Sequence, residues 1–161
     1  LLAGISLSDS PVAFDVPIRS YGLPDNWAQG AVYYALAEGL AGIEDRASRF
    51  SRVEVAPRWA ASQAREVTAC LHYPASDGYC AYTYRDDREG TLQMDMAGTF
   101  RQAKMHCLMP EGCQPNSVSI DGREVTFEVS RTEGSCYADF ELTEPPTGVM
   151  VVRYRQNPDT V

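Results

Sequence analysis

From Ser51 onward the chain repeats one pattern, short segments of alternating apolar and polar residues, each closed by a turn signal. A period of two puts successive side chains on opposite faces, so the pattern dictates half-buried strands. Leu92, Met94 and Met96 against Gln93 and Asp95 form one two-faced strand, and Val125, Phe127 and Val129 against Glu124, Thr126 and Glu128 form another. Strands are predicted at Ser51 to Val55, Val67 to Tyr73, Tyr79 to Tyr84, Thr91 to Met96 and Lys104 to Met109. Further strands follow at Ser117 to Ile120, Glu124 to Val129, Tyr137 to Leu142 and Val149 to Tyr154. Asp121-Gly122 carries the strongest hairpin signal, because both positions of such a turn need positive φ. Val149 to Val152 is apolar on both faces and is predicted to lie centrally in a sheet. Strands at this spacing require an antiparallel sandwich.

Ahead of the strands lies one convincing helix, predicted from about Asn26 to Ala41. Pro24 stops the preceding chain, Asp25 and Asn26 supply capping oxygens, and Gly42 offers a left-handed residue to close the far end. Its apolar residues spread from Trp27, Ala31, Tyr34, Ala35 and Leu40 to Val32, Leu36 and Ala37, a width that implies burial on more than one side. Gly30 and Gly39 each cost about 1 kcal/mol in an exposed helix, and the expectation is that another backbone approaches them closely. Residues Leu1 to Leu23 show no periodicity and, with Pro11 and Pro17, read as an extended lead-in. The expected fold is therefore mainly β: an antiparallel two-sheet β-sandwich, jelly-roll-like, preceded by one long α-helix and an extended N-terminal lead-in. The expected domain division is 1–45 for lead-in and helix and 46–161 for the sandwich.

At 161 residues, with 44% hydrophobic and 22% charged residues, the chain can bury a core and has the composition of a globular protein. Its formal net charge of -8 repels phosphate backbones and anionic lipid, which argues against nucleic acid and membrane surfaces as partners. No apolar run is long enough to cross a bilayer, and Leu1 to Ile5 is too short, and lacks the basic flank, for a signal peptide. A start without Met is what a piece of a longer chain would show. The compartment stays open.

Taken together, Tyr21-Gly22-Leu23-Pro24-Asp25-Asn26-Trp27-Ala28-Gln29-Gly30-Ala31-Val32 and Ala37-Glu38-Gly39-Leu40-Ala41-Gly42-Ile43-Glu44-Asp45 resemble the closing segment of six-hairpin glycosidases. The likeness continues through Phe50-Ser51-Arg52-Val53, Ala56-Pro57-Arg58-Trp59 and Tyr73-Pro74-Ala75-Ser76-Asp77-Gly78-Tyr79, and covers about Phe14 to Tyr154. In that superfamily an (α/α)6 barrel carries catalysis and a C-terminal β-sandwich follows its last helix. The resemblance implies that this chain holds only the last barrel helix and the β-domain. The paired carboxylates of a glycosidase flank the sugar bond about 5 to 10 Å apart, and the resemblance places them in earlier helices. It also implies that Asp25, Asn26, Trp27 and Gln29, at the helix entrance, border a sugar pocket. Their ordinary alternative is a cap from Asp25 or Asn26 and a core role for Trp27.

Other candidates have plain readings beside the chemical ones. Glu38, Glu44 and Asp45 suit an acid/base pair only if burial raises one of them; exposed pairing with Arg46 is the simpler role. Cys70 and His72 share a strand face while His106 and Cys107 point oppositely. With Cys80, Cys113 and Cys136 they lack the spacing of a structural zinc site, so no metal is expected. A disulfide is expected, if anywhere, between Cys107 and Cys113. Tyr73, Tyr79, Tyr82 and Tyr84 suit a sugar platform or, more simply, a filled sheet face. No phosphate loop, nucleophile elbow or nucleotide fingerprint occurs, and no cofactor or catalytic residue is assigned. The function expected is that of a non-catalytic C-terminal β-domain of a carbohydrate-active, six-hairpin glycosidase-like protein, supporting the barrel. Its expected partners are a helical barrel domain or subunit, and carbohydrate. The alternatives are a stand-alone assembly subunit that binds copies of itself, and a carbohydrate-binding module.

Overall fold

The computed structural model of the protein describes residues 26–156 apart from 63, 74 and 144–146, and for 26–29 the backbone alone. The expected lead-in lies outside the described residues. The chain divides into two units, Leu1–Leu36 and Ala37–Val161.

In the first unit, α1 (Asn26–Tyr34) is an α-helix on which Ala31, Tyr33 and Tyr34 are exposed. The helical path continues to Leu40, but Ala35–Leu40 widens into a π-helix instead of holding the α-helical spacing expected to Ala41. The carbonyls at its end find partners elsewhere in the second unit. Arg58 Nη1 donates to Glu38 O and Gly39 O at 3.2 and 2.7 Å, and Arg58 N donates to Leu40 O at 3.0 Å. The Tyr82 hydroxyl donates to Ala41 O at 2.6 Å, and Ala56 N donates to Gly42 O at 2.8 Å. Five successive carbonyls, three in the last helical turn and two just past it, are thereby satisfied. Gly42 turns the chain at φ +67, where a Cβ would sit 1.9 Å from Ala56 O, so glycine is required both for the turn and for the approach. Gly30 and Gly39 behave otherwise: a Cβ on either meets nothing within 4 Å, so no described residue makes the expected close backbone contact.

Among the described residues, eleven strands follow in the second unit. β1 (Ile43–Asp45), β2 (Arg52–Val55), β6 (Gln102–Leu108), β10 (Ser135–Thr143) and β9 (Glu128–Thr132) form one sheet in that spatial order. The other sheet runs β3 (Glu66–His72), β4 (Tyr79–Asp86), β5 (Thr91–Gly98), β11 (Gly148–Gln156), β7 (Cys113–Ile120) and β8 (Arg123–Val125). All pairings are antiparallel except that of β2 with β6. Inner faces of the two sheets meet in one core, with Val53, Val55, Met105 and Phe140 from the first and Tyr82, Leu92, Met94, Met150 and Val152 from the second. The mainly β, two-sheet sandwich is thus as the alternation dictates. β11 lies centrally as expected, although only Met150, Val152 and Tyr154 turn fully inward and Val149 is 40% exposed. Asp121 and Gly122 take φ 50 and 77, the two positive angles their hairpin needs.

Two expectations fail. The strand predicted over Glu124 to Val129 is two strands, because the chain leaves one sheet after Val125 and enters the other at Glu128. Cys107 and Cys113 are both buried and unbridged; all five cysteines are free. Among the described residues no helix is long and apolar enough to cross a membrane.

Candidate functional site

Asp25 lies outside the described residues. Asn26, Trp27 and Gln29 fall within the first turns of α1, but their side chains also lie outside them. The described site is elsewhere, on the outward face of the five-stranded sheet.

Strand parity builds that face. Because Val53, Ala103, Met105, Ala138 and Phe140 turn inward, Arg52, Gln102, Lys104, His106, Tyr137, Asp139 and Glu141 turn outward. Register sets them side by side: Arg52 opposite Gln102, Glu141 opposite Lys104 and Asp139 opposite His106. Three hollows lie along this face. A cleft of about 950 Å³ shares Arg52 and Gln102 with a hollow of about 250 Å³, which shares Lys104 and Glu141 with a third of about 540 Å³. The shared lining residues place the three hollows side by side across neighbouring strands.

The large cleft is walled by Arg49, Arg52 and Arg101, with Asp77 and the hydroxyls of Ser48, Ser51, Thr99 and Thr143. Its loop is unusual in backbone. Arg49 and Phe50 both take positive φ, 61 and 56, which costs of order 1 kcal/mol or more for each non-glycine residue. Phe50 is held there by full burial and by stacking on Tyr73, with ring centroids 4.9 Å apart. Arg49 can adopt its conformation because Gly78 presses against it; a Cβ on Gly78 would fall 2.4 Å from Arg49 O. Arg101 N donates to Ser51 O at 3.0 Å, fixing the loop to the start of β6. Among the described residues none of the three guanidinium groups has an ion-pair partner. In a chain of net charge -8, this is a concentrated positive wall.

At the other end of the face His106 and Asp139 share a 2.5 Å hydrogen bond, Nδ1–H to Oδ1. Ser130 Oγ donates to the second carboxylate oxygen, and Tyr137 stacks on the imidazole with centroids 4.0 Å apart and 11° between planes. The residue types are those of a hydrolase triad, but their connectivity is not: the serine faces the aspartate, so the imidazole cannot take its proton. The cluster orders the sheet face.

The remaining sequence candidates are accounted for. Glu44 pairs with Arg46 at 2.7 Å, and Asp45 Oδ1 accepts from Ala47 N at 3.1 Å, so both serve the turn into β2. Tyr82 and Tyr84 are buried, Tyr79 half-buried and Tyr73 exposed, so the tyrosines form no common platform. Among the described residues no three His, Cys, Asp or Glu side chains gather where they could hold a metal ion. Cys80 and Cys107 thiols are both pushed up to about 12, by burial first and then by neighbouring Cys70 and Asp139 respectively, which leaves them protonated. Asp86, only 3% exposed, accepts from the Tyr154 hydroxyl at 2.7 Å and from Arg88 N at 2.9 Å, joining β11 to the turn after β4. Sequence reasoning missed the cleft altogether, because four chain segments build it and none carries a local signature.

This architecture defines a mainly β protein with a two-sheet sandwich and a cleft lined by three arginines. Among solved structures, a GH127 β-L-arabinofuranosidase from Geobacillus stearothermophilus T6 is similar with a TM-score of 0.44 and 11% identity, over 67% of this chain and 17% of that one. A second, described as a GH127 β-arabinofuranosidase, is similar with a TM-score of 0.38 and 13% identity, over 67% of this chain and 19% of that one. The chain thus spans less than a fifth of either enzyme. No protein-family model and no curated protein matches it.

Proposed function

We propose that this chain is the non-catalytic C-terminal β-domain of a carbohydrate-active, six-hairpin glycosidase-like protein, with a last barrel helix at its N-terminal side and a supporting role for the barrel. The observation that carries this is the fate of the resemblance motif at 37–59. Its residues Glu38 to Gly42 hand their carbonyls to Ala56, Arg58 and Tyr82, so that the segment after the helix is clasped onto the sandwich. Such a clasp suits a helix end that must be delivered to a neighbouring domain at fixed geometry. Exposed Ala31, Tyr33 and Tyr34 on α1 fit a surface that a barrel would cover.

A non-catalytic role also agrees with the chemistry on the outer face. Asp139 has both oxygens engaged, and Glu44 and Glu54 are paired with Arg46. The test is an assay of the purified chain on chromogenic glycosides and on polysaccharides. The expected result is no turnover above the buffer rate; hydrolysis that tracks with the chain through purification would overturn the non-catalytic assignment.

A further inference from the structure

We infer that the cleft walled by Arg49, Arg52 and Arg101 binds an acidic saccharide, a sugar chain bearing carboxylates. The inference is independent of whether the chain belongs to a larger protein. Three arginines, Arg49, Arg52 and Arg101, line one hollow and suit an anion, since a guanidinium offers a planar fork of donors that matches a carboxylate. Their mutual repulsion, uncompensated by ion pairs among the described residues, is relieved when such a group enters.

Charge alone would fit inorganic phosphate equally well. Two features favour a sugar. Asp77 and the hydroxyl residues Ser48, Ser51, Thr99 and Thr143 line the same cleft, partners for sugar hydroxyls that phosphate does not call for. A smaller hollow that shares Arg52 and Gln102 with the cleft, and is lined also by Lys104, lies beside it, which gives room for an extended chain of alternating hydroxyl and carboxylate groups. The left-handed pair Arg49-Phe50, pinned by the Phe50–Tyr73 stack and the Gly78 contact, presents Arg49 on a rigid loop and so lowers the ordering cost of binding.

The experiment is calorimetric titration of the full chain with an oligomer of galacturonic acid at low ionic strength. The fully methyl-esterified oligomer and inorganic phosphate serve as comparators. The acid oligomer is expected to bind, to weaken as salt is raised, and to bind at least tenfold more tightly than either comparator. Arg52→Gln and Arg101→Gln should each weaken it about tenfold, the loss of one charge-assisted hydrogen bond pair. Arg153→Gln, on the other sheet, should leave it unchanged. Both cleft variants replace exposed side chains, and an unchanged melting temperature verifies their folding. Absence of binding, equal binding of the ester, or no effect of the cleft variants would overturn the proposal. Equal affinity for phosphate would reduce the cleft to a general anion site and likewise overturn it.

Discussion

The hydroxyl of Tyr82 is the most informative atom to remove. It is buried, donates to Ala41 O at 2.6 Å and accepts from Trp59 Nε1 at 2.7 Å, and so ties both ends of the clasp to β4. Tyr82→Phe keeps the ring but leaves a carbonyl on Ala41, itself buried, without a partner. An orphaned buried polar group costs about 1 to 3 kcal/mol. Trp59 is only partly buried, so its N–H can turn to water and adds less. The sum is about 2 to 3 kcal/mol, or a fall in melting temperature of about 5 to 10 °C for a domain of this size. Two residues along the same strand, the equally buried Tyr84 hydroxyl has no hydrogen-bond partner among the described residues. Tyr84→Phe makes the same chemical change and should be neutral or slightly stabilising. Urea unfolding of both variants, with the parent alongside, measures the difference. Equal destabilisation of the two, or less than about 1 kcal/mol for Tyr82→Phe, would refute the assignment of the clasp.

Further expectations follow from single residues. Gly42→Ala must hold an alanine at positive φ and push its Cβ through the Ala56 carbonyl, so a loss of about 3 kcal/mol or more, or failure to fold, is expected in the same unfolding assay; a fully stable variant would contradict the described turn. Titration with a thiol reagent at pH 8 should find one fast cysteine, the exposed Cys70, with all five reacting only after denaturation. Burial on its own would raise the Asp87 carboxyl, yet the N–H groups of Glu89, Thr91 and Gly90 outweigh it and hold the group below the usual 3.8. Its contribution to stability is therefore present above that value and lost as pH falls through the folded pKa. Asp87→Asn should flatten the decline in stability between about pH 4 and pH 2, and an unchanged acid limb would show that the turn carries no such linkage.

What could be read from the sequence divides along the range of the interactions. Leu92, Met94 and Met96 declare their face because alternation is local, and the Asp121-Gly122 turn declares its φ angles for the same reason. β1 escaped detection because Ile43 is its one apolar residue, and Glu44-Asp45 looks like a polar connection until β2 pairs with it. The 124–129 segment kept its alternation while changing sheets, since each sheet accepts the same period and only the partners differ. The cleft was invisible: Arg49, Asp77 and Arg101 lie in loops that meet only after the strands have paired. His106 and Asp139 are likewise neighbours through register, 33 residues apart in the chain. The π-helical end of the first helix depends on Arg58 and Tyr82 from distant segments, which no helix propensity records.

The most direct test is the mass of the native particle that contains this chain, with every co-purifying polypeptide identified. A helical barrel chain bound to it, or continuous with it, is the expected result and would bring α1 into contact with that barrel. A particle made only of ordered copies of this chain would contradict the β-domain assignment and make the helix an assembly contact.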